Sequence, residues 1–166
     1  VLFGIGMYAT YLTGNIFSVA KFRTIQLLRA AHAIGFLMTL LISFFFTNTI
    51  FSFHWPFWMN GIVVTLTSFP LAIFSLWSIE LKQKIEKPIF FQSLMITVLM
   101  GELALVVSLL PTTIWTSSLL LVGSFYAGLG ILISKLNGRL FQSTAWEYMS
   151  VWLVIAISFL VLLQWK

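Results

Sequence analysis

Six long apolar runs, separated by short polar connections, constrain this chain more than any other feature. The runs are residues 1–20, 30–53, 57–79, 89–110, 116–134 and 145–165. About 20 consecutive apolar residues can cross the hydrocarbon core of a bilayer, where the backbone must satisfy its own hydrogen bonds as a helix. A β-barrel would instead show alternating segments of about 10 residues. The pattern therefore predicts an all-α, polytopic transmembrane bundle of six spans that forms a single domain over residues 1–166.

The composition excludes an ordinary water-soluble domain. Of the 166 residues, 60% are hydrophobic and only 8% are charged, whereas soluble domains carry about a quarter charged residues. A soluble chain of this length could not bury so much apolar surface. The first run is the weakest of the six because it contains Gly4, Gly6, Gly14 and Asn15. The sequence does not begin with methionine, so we expect it to be part of a longer protein.

The basic residues indicate an orientation. Eight of the nine fall in three connections, residues 21–29, 80–88 and 135–144, and the ninth is Lys166; the connections near residues 54–57 and 111–115 contain neither lysine nor arginine. The basic residues of the three connections are Lys21, Arg23, Arg29, Lys82, Lys84, Lys87, Lys135 and Arg139. With six spans these connections lie on one side, which the positive-inside rule assigns to the cytoplasm. We therefore expect a multi-pass protein of the cell membrane, specifically the bacterial inner membrane.

Glu102 is the one full charge that falls well inside an apolar run. It lies about 14 residues into the fourth run, or about 20 Å from the cytoplasmic end of a helix. A carboxylate at such depth is costly and usually faces the bundle interior or a water-filled cavity, so we expect Glu102 to point inward. The hydroxyl groups nearest to it in depth are those of Thr39, Ser43, Thr65 and Ser68. Two interpretations remain open: a proton or cation site, and a protonated acid hydrogen-bonded to a neighbouring helix.

Small residues repeat along one side of the fifth run. They are Gly123, Ser124, Ala127 and Gly128, and they give two small-xxx-small spacings. Such spacings let the backbones of two membrane helices approach closely. The pattern therefore predicts a face on which the fifth helix packs against another helix.

The segment before the last run has the spacing of a capping box. In Thr144-Ala-Trp-Glu147 the threonine hydroxyl can accept from the N–H of Glu147, whose side chain can reach back to the N–H of Thr144. We favour this structural role over a catalytic one.

With its six apolar runs, its short loops and this entry into the last helix, the chain resembles the small multi-pass inner-membrane proteins of bacteria that are grouped in families of unknown function. The resemblance has no specific motif, so it assigns no functional residue.

No pattern in the sequence predicts a catalytic, cofactor or metal site. The chain has no Asp and no Cys, and it contains no Gly-x-Ser-x-Gly, Walker or Rossmann glycine motif. His32 and His54 lie 22 residues apart on or beside one helix, about 33 Å from each other, so they cannot share a metal. The net charge of +5 comes from the connections between spans. These basic connections predict attraction to anionic lipid headgroups, not a nucleic-acid partner.

Three functional hypotheses follow from these observations. The first is a non-enzymatic membrane module or complex subunit, whose partners are the lipid bilayer and other membrane helices or a second copy of the chain. The second is a small proton- or cation-coupled transporter that uses Glu102. The third is the membrane part of a larger enzyme. Because the sequence shows no catalytic chemistry, it favours the first.

Overall fold

The computed structural model describes residues 2–20, 28–81, 84–138 and 141–163, and in these ranges the chain forms six α-helices. They are α1 (Leu2–Ala20), α2 (Leu28–Ser52), α3 (Phe57–Glu80), α4 (Lys87–Ser108), α5 (Ile114–Leu136) and α6 (Gln142–Leu162). The all-α prediction is confirmed. Helices α2 to α6 are each long and apolar enough to cross a membrane. Helix α1 is not among these five, since polar residues such as Asn15 interrupt its apolar sequence.

Helices α2 to α5 form the centre of the molecule. The contact between α3 and α4 is the most extensive, and both α2 and α4 also pack against α5. Helix α1 lies outside against α2, and α6 lies outside against α5. The largest fully buried side chains include Leu76 on α3, Met100 on α4, and Leu121 and Phe125 on α5. In a bilayer the lipid tails would be as apolar as these side chains, so close packing and dispersion contacts, rather than the hydrophobic effect, would favour their burial within the bundle.

The helix ends that carry basic residues meet at one end of the bundle. His32, near the start of α2, donates through Nε2 to the carbonyl oxygen of Ser78 near the end of α3, at 2.8 Å. The ring of Phe17, near the end of α1, lies 5.3 Å from the ring of His32. A shared cavity joins His32 to Asn137 after α5 and Tyr148 of α6. We call this end the basic end; its described basic residues are Arg29, Lys84, Lys87 and Lys135.

Parts of the three predicted cytoplasmic connections belong to the basic end. Residues 21–27, 82–83 and 139–140 of these connections lie outside the described residues. The described remainder shows that the ends of α1, α3 and α5 and the starts of α2, α4 and α6 share this end. The helices therefore alternate in direction along the chain.

The opposite end carries exposed tryptophans. Trp55, Trp58 and Trp115 are exposed there, and we call it the aromatic end. The amide of Asn60, at the start of α3, donates to the hydroxyl of Ser108 at the end of α4, at 3.1 Å. Tryptophan is enriched where membrane helices meet the headgroup region, since its ring is apolar and its N–H is polar. Trp146, near the start of α6 at the basic end, is exposed as well, so exposed tryptophans lie at both ends, whereas the described basic residues lie at one.

The start of α6 corrects the predicted capping box. The helix begins at Gln142, and its N-cap is Phe141, whose extended backbone (φ −87°, ψ 156°) makes no side-chain cap hydrogen bond. The carbonyl of Phe141 already accepts from the N–H of Ala145 at 3.1 Å. Thr144 therefore lies inside the first turn and Glu147 lies on the exposed surface beyond it. The capping role was wrong because the chain becomes helical before the predicted run begins.

Candidate functional site

Helix α4 has two faces with different surroundings. Its buried residues recur at helical spacing and are Ile89, Ser93, Ile96, Thr97, Met100, Gly101, Ala104 and Val107. Several residues at the edges of this buried face are exposed, including Phe90, Leu94 and Leu99. Opposite the buried face lie Phe91, Met95, Val98, Glu102, Val106 and Leu109, which are also exposed. We call this set the outward stripe, since its members are three or four residues apart and so lie along one side of the helix. Five of its six residues are apolar.

Glu102 lies deep within the length of α4. The helix runs from Lys87 at the basic end to Ser108 at the aromatic end. At 1.5 Å per residue, Glu102 is about 22 Å from the first residue and about 9 Å from the last. The hydrocarbon core of a bilayer is about 30 Å thick. In a membrane this acid would therefore lie in the hydrocarbon region, closer to the aromatic end.

The predicted inward orientation of Glu102 is wrong. Its side chain is exposed, whereas Thr39, Ser43 and Ser68 are buried and Thr65 is half-buried. The structure therefore does not bring the acid together with these four hydroxyl groups. Thr39 donates instead to the carbonyl of residue 35 and Thr65 to that of residue 61, both at 2.9 Å. The Ser43 hydroxyl has no hydrogen-bond partner in the described part of the chain.

A glycine pair between α3 and α4 explains this orientation, and sequence reasoning missed it. A methyl group added at Gly101 would meet the hydroxyl of Thr65 and lie 3.0 Å from the carbonyl oxygen of Gly61. A methyl group added at Gly61 would lie 2.6 Å from Leu105. Both glycines are needed because the two helices approach too closely for a side chain. Gly101 faces α3, and the helical turn of about 100° per residue directs Glu102 away from it.

The small residues of α5 contact two different helices. A methyl group added at Gly123 would lie 2.6 Å from Ile155 of α6. The hydroxyl of Ser124 accepts a hydrogen bond from the indole N–H of Trp152 of α6 at 2.9 Å. Ala127 is buried, and a methyl group added at Gly128 would meet Ile96 of α4. The small residues thus adjoin α6 at residues 123 and 124 and α4 at residue 128. That the close packing of these helices depends on them stays a prediction.

A polar cavity of about 180 Å³ opens at the basic end. Its lining residues are His32, Ala33, Phe36, Ser75, Ser78, Ile79, Gly130, Ile133, Asn137 and Tyr148. The Nε2–H of His32 is bonded to the backbone of Ser78, and the Ser78 hydroxyl donates to the carbonyl of Ser75 at 2.8 Å. A general base must instead accept a hydrogen bond from the hydroxyl whose proton it removes. His32 and Ser78 therefore do not form a catalytic pair in this arrangement.

The two histidines occupy opposite ends of the bundle. His32 lies at the basic end, whereas His54 follows α2 at the aromatic end and donates through Nδ1 to the carbonyl of Ser52 at 2.8 Å. Within the described ranges no three His, Cys, Asp or Glu side chains are grouped so that they could hold a metal ion. A structural or catalytic metal needs such a convergent set of ligands.

The family comparison covers nearly the whole chain. Residues 3–162 match the model of a family described as a protein of unknown function, DUF5656. The chain belongs to the DUF5656 family. No curated protein and no solved structure matches the chain significantly. The predicted resemblance to a family of unknown function is confirmed.

The matched range of the DUF5656 family includes all the features described above. It contains the outward stripe, the Gly61–Gly101 contact and the polar cavity. Among them, the outward stripe is the feature that close packing inside a single copy does not explain. The glycine pair and the cavity lie between helices of the same chain, whereas Glu102 faces away from all of them.

Proposed function

We propose that this DUF5656 protein is a multi-pass integral membrane protein that acts as a non-enzymatic assembly module, binding other transmembrane helices through the outward stripe of α4. The observation that carries the proposal is the exposure of Glu102 in the middle of an otherwise apolar stripe. A carboxyl group that faces hydrocarbon finds no partner outside the backbone of its own helix, and its unsatisfied polar atoms cost free energy. A partner helix that bonds to the carboxyl removes that cost.

A second apolar surface of the bundle differs from the stripe because it leaves no polar group without a hydrogen-bond partner. An apolar groove of about 340 Å³ lies between α4, α5 and α6, with Leu99, Leu103 and Met149 among its lining residues. Ser124 contributes a hydroxyl to this groove, but the hydroxyl already accepts from Trp152 and donates to the backbone of α5. Lipid acyl chains can fill such a groove without leaving a polar group unsatisfied. They cannot satisfy Glu102.

The proposal includes the topology. All six helices cross the membrane, α1 with them, and the basic end faces the cytoplasm of a bacterial inner membrane. Support comes from the described basic residues, which lie at one end of the bundle. A cytoplasm-active reporter fused after Lys87 or after Arg139 should be active, and an export-active reporter should be active after Pro111. The opposite result at Lys87 would overturn the orientation.

The transporter hypothesis loses its main support in this geometry. It required Glu102 to line a polar path through the bundle, but the acid faces outward, and the polar cavity at the basic end does not include it. The hypothesis of a membrane part of a larger enzyme stays a prediction. It depends on sequence beyond the 166 residues.

The size of the native complex tests the assembly function. Membranes that contain the protein are extracted in mild detergent, and the complex is sized by native electrophoresis. We expect Glu102→Leu to shift the protein to a smaller species, because the partner loses its hydrogen bond. Glu102→Gln, which keeps a donor and an acceptor, should retain the parental size. As a control, Leu153→Ala changes an exposed residue of α6 and should have no effect. A parental size for Glu102→Leu would contradict the proposal.

A further inference from the structure

We infer that the partner of the outward stripe is a second copy of the chain, packed about a two-fold axis so that the Glu102 side chains of the two copies hydrogen-bond to each other. This inference rests on the proposed assembly function and names its partner. It starts from three properties of the stripe: its symmetry in a membrane, the chemistry of its polar group, and the size of the residues beside that group.

Symmetry brings Glu102 next to its own counterpart. Copies of one membrane protein share a single orientation, so a two-fold axis between them runs along the membrane normal. The two α4 helices then lie parallel, and each residue has the same depth as its counterpart. In the outward stripe Glu102 lies between Phe91 near the basic end and Leu109 near the aromatic end. Helices that cross at the middle of the stripe therefore meet at Glu102.

A carboxyl group is complementary to itself. When it carries its proton it has one O–H donor and one carbonyl acceptor, so two such groups can exchange two hydrogen bonds. An ion pair would instead need a basic group at the same depth. Apart from Glu102, the sequence from residue 88 to residue 134 holds no charged residue, and the basic residues of α4 and α5 lie at the basic end. A second copy thus offers a carboxyl at that depth, not a cation.

The residues beside Glu102 allow the two helices to approach. Val98 lies one turn before it and Val106 one turn after it, and both are exposed. Valine is shorter than the phenylalanine, methionine and leucine residues that occupy the two ends of the stripe. Close approach lets polar side chains on facing membrane helices reach each other. Leu99 is exposed as well, but within the outward stripe the two smallest side chains flank the position where the hydrogen bonds would form.

Cysteine cross-linking tests this arrangement cleanly, because the chain has no cysteine of its own. Val98→Cys and Val106→Cys are purified separately and reconstituted in phosphatidylcholine vesicles, where a second copy is the only protein present. Oxidation should give disulfide-linked dimers, since a disulfide needs Cα atoms within about 7 Å. The matched control is Val154→Cys, an exposed valine of α6, which should stay monomeric.

The same vesicles show whether Glu102 causes the contact. Adding Glu102→Leu to Val98→Cys should lower the ratio of dimer to monomer about tenfold, the effect of losing interhelical hydrogen bonds. Glu102→Gln should keep most of the dimer, because its amide can also pair with its copy. Circular dichroism of each variant before oxidation shows that it is folded.

The outcomes separate the inference from the function on which it rests. Equal cross-linking at Val154→Cys, or none at Val98→Cys and Val106→Cys, would overturn the second-copy contact. If Glu102→Leu nevertheless reduced the size of the native complex, the assembly function would stand with a different protein as the partner. If Glu102→Leu changed neither the vesicle dimer nor the native complex, both proposals would fail.

Discussion

Gly101→Ala places a methyl group where the structure leaves no room for one. The added carbon would meet the hydroxyl of Thr65 and lie 3.0 Å from the carbonyl oxygen of Gly61. That hydroxyl already donates to the same carbonyl at 2.9 Å. Because both groups belong to α3, the new methyl group presses against the backbone of a neighbouring helix. Either α3 and α4 move apart, or Thr65 gives up its hydrogen bond.

Two opposing terms set the expected change in the free energy of unfolding. Adding a methyl group to a well-packed interior costs about 1–3 kcal/mol. Alanine favours a helical backbone over glycine by about 0.5–1 kcal/mol. Gly14→Ala in α1 should show only the gain from alanine's helix preference, since nothing lies within 4 Å of its added carbon. The difference between Gly101→Ala and Gly14→Ala therefore isolates the steric cost, which we expect to be about 1–3 kcal/mol.

The measurement is the free energy of unfolding in mixed micelles, followed by circular dichroism as a denaturing detergent is titrated. We expect Gly14→Ala to equal or exceed the parent and Gly101→Ala to fall below it. Combining Gly101→Ala with Thr65→Ala removes the hydroxyl and should recover part of the loss. If Gly101→Ala is as stable as Gly14→Ala, the close approach of α3 and α4 is refuted.

Two further stability predictions concern the packing of α5. Gly128→Leu should lower the melting temperature in detergent because the new side chain meets Ile96 of α4. An unchanged melting temperature would mean that this side of α5 is exposed to lipid and does not pack against α4. Trp152→Phe removes the 2.9 Å hydrogen bond to Ser124 and should cost about 0.5–1.5 kcal/mol of unfolding free energy. Trp146→Phe is its control, since Trp146 is exposed, and an equal loss in both variants would contradict the role of that bond.

Sequence reasoning located the helices because the length of an apolar run is a strong physical signal. Helix α3, for example, spans Phe57–Glu80 where the sequence predicted 57–79. Runs of about 20 apolar residues match the thickness of a bilayer, and polar residues end each run at a connection. The start of α6 was harder to predict, because Ser143 and Thr144 suit both a cap and a first helical turn.

The orientation of Glu102 was not predictable from its own helix. In a helix of a soluble protein, an apolar stripe opposite a polar face shows which side is buried. Helix α4 is apolar on both sides, with Met100 buried and Met95 exposed, so its sequence carries no such signal. The rule that a charged residue in a membrane faces the interior then gave the wrong answer. In the proposed dimer the acid that is exposed in one copy would face the second copy, and the rule would then hold.

The contact between Gly61 and Gly101 also connects the fold to the proposed assembly. The backbones of α3 and α4 approach because Gly101 faces Gly61. To turn Glu102 inward, α4 would have to rotate by more than a quarter turn, which would replace the glycine in this contact with a larger side chain. The steric cost argued for a single methyl group at this position is then the least that such a rotation would incur. The packing inside one copy therefore holds the acid on the outer surface of α4, at the depth where a second α4 can bond to it.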